Sequence, residues 1–161
     1  MAQTVQNSVF IYRPVEEVFA FVTDPATTPQ WQANLVRSEI LTPGPMGAGT
    51  RVLEVRSLGN TERQAEWEVT EYEPPLKRGY AYPKGFGPIK QKGVTLFELK
   101  DGGTLLRFTA WVEASFPLNL LLPFLVRLMR RQNDASFAKL KQLLESGMDS
   151  HANAVVEQKL V

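Results

Sequence analysis

Cysteine is absent from the 161 residues, which excludes disulfides, thiolate nucleophiles and cysteine-ligated zinc or iron-sulfur sites. Histidine is nearly absent too. The one example, His151, lies in the C-terminal tail, so no cluster of metal ligands can be drawn, and neither a metal nor a cofactor is expected. The most apolar stretch, Leu118 to Met129, is interrupted by Pro123 and Arg127 and falls short of the roughly 20 residues of a membrane span. Charge of one sign is also lacking. With 18 basic and 17 acidic residues the formal charge is +1, which sets up no field to gather nucleic acid, and no nucleic-acid partner is expected. The opening MAQTVQNSVF has no basic start followed by an apolar run, so no secretory signal is read and the cytoplasm is the expected location. Nothing in the composition bears on oligomeric state.

What the chain does have is ordinary globular composition, 43% hydrophobic and 22% charged, at the length of one domain with a sizeable core. Val5, Val9 and Ile11 alternate with polar residues and predict a first strand over 5–12. Pro14 stops that strand and suits the first turn of a helix, where Glu16 and Glu17 face the positive helix end. Val15, Val18, Phe19 and Val22 form the apolar stripe of this helix until Asp24-Pro25 ends it. A second short helix is expected over 28–34, anchored by Trp31. From residue 35 the helical period gives way to short alternating runs over 36–41, 50–57, 62–73, 76–82, 89–100 and 104–115. These are punctuated by Pro43-Gly44-Pro45, Gly59-Asn60, Pro74-Pro75, 85–88 and the hairpin signal Asp101-Gly102-Gly103.

After Phe116-Pro117 the helical period returns through Leu125, Leu128, Met129, Phe137, Leu140, Leu143 and Leu144. Pro123 marks a kink or a lead-in, and Gly147 is placed as a stop. The expected organisation is one domain over 1–147 and a flexible tail over 148–161.

Seven strands joined by hairpins make an antiparallel sheet whose apolar face needs a cover, and the C-terminal helix supplies it. Parity sets the faces. Ala65, Trp67 and Val69 point in while Glu62, Gln64, Glu66 and Glu68 point out. Leu106, Phe108, Ala110 and Val112 point in, with Trp111 outside.

A series of local features carries a resemblance over about residues 4–146. It comprises Pro14-Val15-Glu16-Glu17-Val18-Phe19, Asp24-Pro25 with Trp31 following, Gly47-Ala48-Gly49-Thr50, Glu68-Val69-Thr70-Glu71-Tyr72-Glu73-Pro74-Pro75, Asp101-Gly102-Gly103-Thr104 and Leu140-Lys141-Gln142-Leu143-Leu144-Glu145. In this order the chain resembles the polyketide cyclase/dehydrase and lipid-transport superfamily (SRPBCC), related to START domains and birch-pollen-allergen-like proteins. The resemblance implies an α+β helix-grip fold. In it a curved seven-stranded antiparallel sheet wraps around a long C-terminal helix, two short helices follow strand one, and a hydrophobic ligand cavity lies inside. It implies no particular reaction.

The residues expected to line that cavity are Trp67, Tyr80, Tyr82, Phe97, Phe108 and Val112 from strands, and Met129, Asn133 and Phe137 from the helix. Each apolar member is equally explained as plain core. Tyr80 and Tyr82 share a strand face and are candidates to bind a ligand carbonyl or act as weak acids, though a tyrosine at a sheet rim with a wet hydroxyl fits the same pattern. Asn133, one helical step from Met129 and from Phe137, is a polar group that protein, water or ligand must satisfy if its face turns inward.

No inward carboxylate is assured. Glu54 lies on a strand of ambiguous alternation, and pairing with Arg51, Arg56 or Arg63 on the outer surface is the favoured reading. Five cations between Lys77 and Lys92, among them Arg78, read as edge protection and as partners for the preceding glutamates. The alternative is contact with phosphate, a lipid headgroup or single-stranded nucleic acid. Gly79, Gly85, Gly87 and Gly93 suggest a mobile gate near 84–88. Phe116 to Met129, followed by Arg130 and Arg131, reads either as a transient membrane contact or as the buried start of the closing helix.

Three functions follow as expectations. The first is binding or transport of a small hydrophobic or amphipathic ligand without covalent chemistry. The second is a cofactor-independent cyclase or dehydrase working through Tyr80, Tyr82 and Asn133. The third is a membrane-surface or quinone-associated interaction protein.

Overall fold

The computed structural model of the protein describes residues 2–85 and 88–159, with side chains through residue 147. The strands are β1 (Gln3–Ile11), β2 (Leu35–Ile40), β3 (Arg51–Leu58), β4 (Thr61–Glu73), β5 (Lys77–Ala81), β6 (Ile89–Lys100) and β7 (Gly103–Ala114). The helices are α1 (Val15–Thr23) and α2 (Leu122–Lys159). All seven strands form one antiparallel sheet in the order β1-β7-β6-β5-β4-β3-β2. Consecutive strands from β2 to β7 are neighbours, and β1 closes onto β7 beyond them. The β6–β7 hairpin turns on Asp101 and Gly102, both at positive φ, as a two-residue turn matched to strand twist requires.

Pro14 precedes α1, Glu16 and Glu17 occupy its first turn, and Val15, Val18, Phe19 and Val22 are buried beneath it. The helix expected over 28–34 is shorter than its pattern suggested. A single 3-10 turn spans Thr28–Gln30, and Asn34, with φ of +62°, reverses the chain into β2. Trp31 is nevertheless the anchor, buried against Phe137 of α2.

At the other end a 3-10 turn over Leu118–Leu121 leads into α2, with Pro123 in the helix's first turn, where no intrahelical N–H is needed. Gly147 does not stop α2, which continues to Lys159. A glycine lowers helix propensity by about 1 kcal/mol but ends a helix through left-handed backbone, which Gly147 does not adopt. The mobile tail expected over 148–161 falls on residues whose side chains lie outside the description.

The start of α2 is not buried as one reading required. Phe116, Leu120, Leu121 and Phe124 are exposed at 57–79%, and only Leu122 and Val126 reach the core there. Among the described residues, no helix is long and apolar enough to cross a membrane.

α2 packs chiefly along β1, at one edge of the sheet. One dense cluster joins Ile11, α1, Phe97, Leu106, Phe137, Leu140 and Leu144, and a second joins Val5, Ala110, Val112, Leu122 and Val126. A third, smaller group of Val52, Trp67 and Val69 lies across the sheet on β3 and β4. A straight helix cannot follow a twisted sheet across its whole width. The third cluster therefore faces α2 over a gap.

Candidate functional site

The gap is a cavity of about 150 Å³, and a second pocket of about 290 Å³ adjoins it under Leu125, Leu128 and Met129. Arg56, Tyr82, Gln91, Gln132 and Asn133 line both. Six of the residues expected at the wall, Trp67, Tyr80, Tyr82, Phe108, Asn133 and Phe137, line the first cavity, while Val112 and Met129 line the second. Phe97 faces inward as its parity demands, but it is taken up in packed core, edge-on to Phe19 at 5.0 Å.

The aromatic wall is continuous. Tyr80 stacks on Phe108 with rings 3° from parallel and centroids 6.1 Å apart, and meets Trp67 and Tyr82 edge-on. Phe108 in turn meets Phe137. Gly93 of β6 lies directly beneath Tyr80, so close that a Cβ there would sit 2.6 Å from the Tyr80 ring. This position requires glycine for space. With Gly79, which sits in β5, Gly93 belongs to the sheet and not to a mobile gate. Part of the expected gate, residues 86 and 87, lies outside the described residues. We predict that Gly93→Ala pushes the Tyr80 ring into the cavity and costs about 1–3 kcal/mol, measured by urea denaturation.

Glu54 is on the inner face, 4% exposed, and not on the outer surface. The register places Val52 opposite Trp67 and Glu54 opposite Ala65, so residues 52, 54 and 56 share the concave face. Glu54 does pair with Arg56. Its Oε2 accepts from Arg56 Nε at 3.1 Å and Nη2 at 2.9 Å, and from the Tyr82 hydroxyl at 3.2 Å. Arg56 also donates to Gln32 Oε1 and to the Ala33 carbonyl, tying the 28–33 segment to the cavity. Burial works against the Arg56 charge, but the Glu54 carboxylate more than offsets it, so the guanidinium is held above its ordinary range.

Arg78, expected among surface cations, is 8% exposed and faces the cavity, with its guanidinium 5.3 Å from the centre of the Trp67 ring. A bulge between Val69 and Glu71 of β4 inserts one residue opposite β5, so Tyr72 and Arg78 lie paired on the inner face beside Val69 and Tyr80. Of the same basic stretch, Lys77 does behave as read and pairs with Glu71 at 2.8 Å. However, β5 is an interior strand, so edge protection is not the role of these residues.

Tyr80 accepts from Gln91 Nε2 at 2.7 Å. Burial raises both tyrosine hydroxyls well above their usual range, helped at Tyr82 by the Glu54 charge. Both stay neutral and able to donate. The sign for stability follows: a folded-state value above the unfolded one near 10 leaves stability intact below pH 10 and lost as pH rises further. Urea midpoints at pH 8 and pH 11 should fall less steeply with pH in the Tyr80→Phe/Tyr82→Phe double variant than in the wild type.

Asn133 is satisfied by the protein. Its Nδ2 donates to Asn7 Oδ1 at 3.1 Å, and Asn7 Nδ2 donates to Asp134 Oδ1 at 2.7 Å and to the Arg130 carbonyl at 3.1 Å. This clamp fixes α2 to β1 at the cavity edge. Among the described residues, no cluster of His, Cys, Asp or Glu could hold a metal ion.

The family model described as polyketide cyclase / dehydrase and lipid transport matches residues 2–145. No curated protein matches the sequence. Among solved structures, TTHA0849 of Thermus thermophilus is similar at 19% identity and a TM-score of 0.74, over 90% of this chain and 99% of that one. The di-domain ARO/CYC StfQ of the steffimycin biosynthetic pathway is similar at 10% identity and a TM-score of 0.78, over 92% of this chain and 52% of that one. Ara h 8.0201 is similar at 16% identity and a TM-score of 0.73, over 91% of this chain and 99% of that one. At these identities the likeness is one of fold: a curved sheet gripping a long C-terminal helix.

Proposed function

The chain belongs to the polyketide cyclase/dehydrase and lipid-transport family, and from that premise we propose that it binds a small amphipathic molecule in its inner cavity. The observation that carries this reading is the makeup of the wall. Trp31, Trp67, Tyr80, Phe108 and Phe137 offer flat apolar surface, and Arg78, Tyr80, Gln91 and Asn133 place polar atoms among them. A few polar groups in an aromatic wall orient a ligand that the apolar surface holds. Native mass spectrometry of protein purified from its own host tests the reading. A small molecule that travels with the protein supports it. An empty protein that also takes up no lipid or aromatic acid counts against it.

A second reading is favoured by one cluster. Tyr82, Glu54 and Arg56 form a connected hydrogen-bonded group in the cavity wall beside Tyr80, the kind of arrangement a cyclase or dehydrase would need to polarise a carbonyl and move a proton. Turnover of a poly-β-ketone by the wild type, lost in Tyr82→Phe, would separate an enzyme from a carrier.

The exposed Phe116, Leu120, Leu121 and Phe124 adjoin Arg127, Arg130 and Arg131, a pattern that suits loading of the ligand at an anionic membrane surface. Cosedimentation with vesicles containing phosphatidylserine should fall several-fold in Phe124→Ser. Equal binding by the variant removes this part of the reading.

A further inference from the structure

Among the described residues three charged side chains line the first cavity, Glu54, Arg56 and Arg78, and two of the three are cations. Glu54 accepts from Arg56 and Tyr82 through its Oε2. Among the described residues Arg78 makes no ion pair, and its Nε finds no hydrogen-bond acceptor. The indole Nε1 of Trp67, whose ring lies against the Arg78 guanidinium, has no acceptor either, and nor does that of Trp31 on another wall. All three residues are more than nine-tenths buried. A buried donor without an acceptor is costly, and a buried cation without an anion is costlier still. A protein retains such groups where function repays the loss of stability.

We propose that Arg78 and the Trp67 indole form an anion subsite for the carboxylate of the ligand, whose flat apolar body lies along Tyr80 and Phe108. The proposal rests on the cavity being a binding site and adds the chemical class of its occupant: a monoanionic aromatic or polycyclic acid. Charge balance argues for one negative charge. With a carboxylate in place the two arginines face two anions, where Glu54 alone leaves an excess of one. Hydrogen bonding argues for oxygen, since guanidinium and indole N–H groups only donate and a carboxylate only accepts. The Tyr80 hydroxyl, which already accepts from Gln91, has its own proton left to give to the same ligand.

The test uses two probes of nearly equal shape, 2-naphthoate and the neutral 2-naphthamide, titrated calorimetrically into the wild type and Arg78→Met. The wild type should bind the acid at least tenfold more tightly than the amide, and the variant should bring that ratio close to one. If the wild type binds both equally, the anion subsite is wrong while the cavity remains a binding site. If it binds neither, the cavity reading itself fails and takes this proposal with it. A ratio unchanged in the variant also overturns the role of Arg78.

Thermal melting gives an independent reading that a structural arginine would not give. Removing an unpaired buried cation should raise the Tm of ligand-free Arg78→Met by about 3 °C or more. A fall of that size would mean that Arg78 holds the fold together, and would contradict the assignment.

Discussion

Replacing Glu54 with alanine should cost about 3–5 kcal/mol of stability, the largest effect expected of any polar substitution in the molecule. Glu54 is the one acid in the cavity wall among the described residues and holds three donors at once. Without it, Arg56 and Arg78 line one cavity with no counter-charge among its lining residues. Part of Arg56 would remain held by Gln32 and the Ala33 carbonyl, but neither carries charge. The cause can be isolated by a double variant. Glu54→Ala/Arg56→Met removes both members of the pair and should recover about half or more of the loss in urea denaturation, because the penalty comes from an orphaned ion and not from missing volume. If the two substitutions simply add, the pair is not what stabilises this side of the sheet.

Asn7→Leu should cost about 2–4 kcal/mol although it keeps the branching and the number of side-chain heavy atoms. Asn7 is a polar residue among the inward positions of β1, where Val5, Val9 and Ile11 are apolar, and its amide is used at both ends. Leucine would break three hydrogen bonds and leave the Asn133 amide facing an apolar neighbour at the cavity edge. Hydrogen exchange should quicken along α2 around residues 126–137, where the clamp holds helix to strand, more than in the distant hairpin of β3 and β4. A uniform acceleration would show that Asn7 contributes to global stability without acting as a local clamp.

Much of this arrangement is legible in the sequence. The alternation over 62–69 of β4 and along β7 places Trp67 and Phe108 on the inner face, and Tyr80, on β5, and Tyr82, just past its end, follow from their two-residue spacing. The charged part of the site was not read, for two physical reasons. On β3 the run Arg51-Val52-Leu53-Glu54-Val55 carries apolar residues on both faces, so parity could not say which way Glu54 pointed. Its partner strand could have: with Trp67 inward, the register puts Val52 and then Glu54 on the same side.

Arg78 was hidden by its company, since it stands between Lys77 and a loop rich in lysine and glycine. The signal that finds it is its parity with Tyr80 and Tyr82, because an arginine two residues from an inward tyrosine on one strand must point inward as well. The β4 bulge, which carries Tyr72 onto the face of Arg78, left no mark in the hydrophobic pattern. The helix boundary at Gly147 was misread because glycine is a weak signal without left-handed backbone to confirm it.

Trp31 and Trp67 face the cavity while Trp111 lies on the outer face of the sheet, so a ligand bound inside meets two of the three indoles. The chain has three tryptophans, so a proton–nitrogen correlation spectrum carries three indole signals. Titration with 2-naphthoate should shift the signals of Trp31 and Trp67 and leave that of Trp111 in place. Movement of the Trp111 signal alone, or saturation of the probe with all three unmoved, would contradict the account.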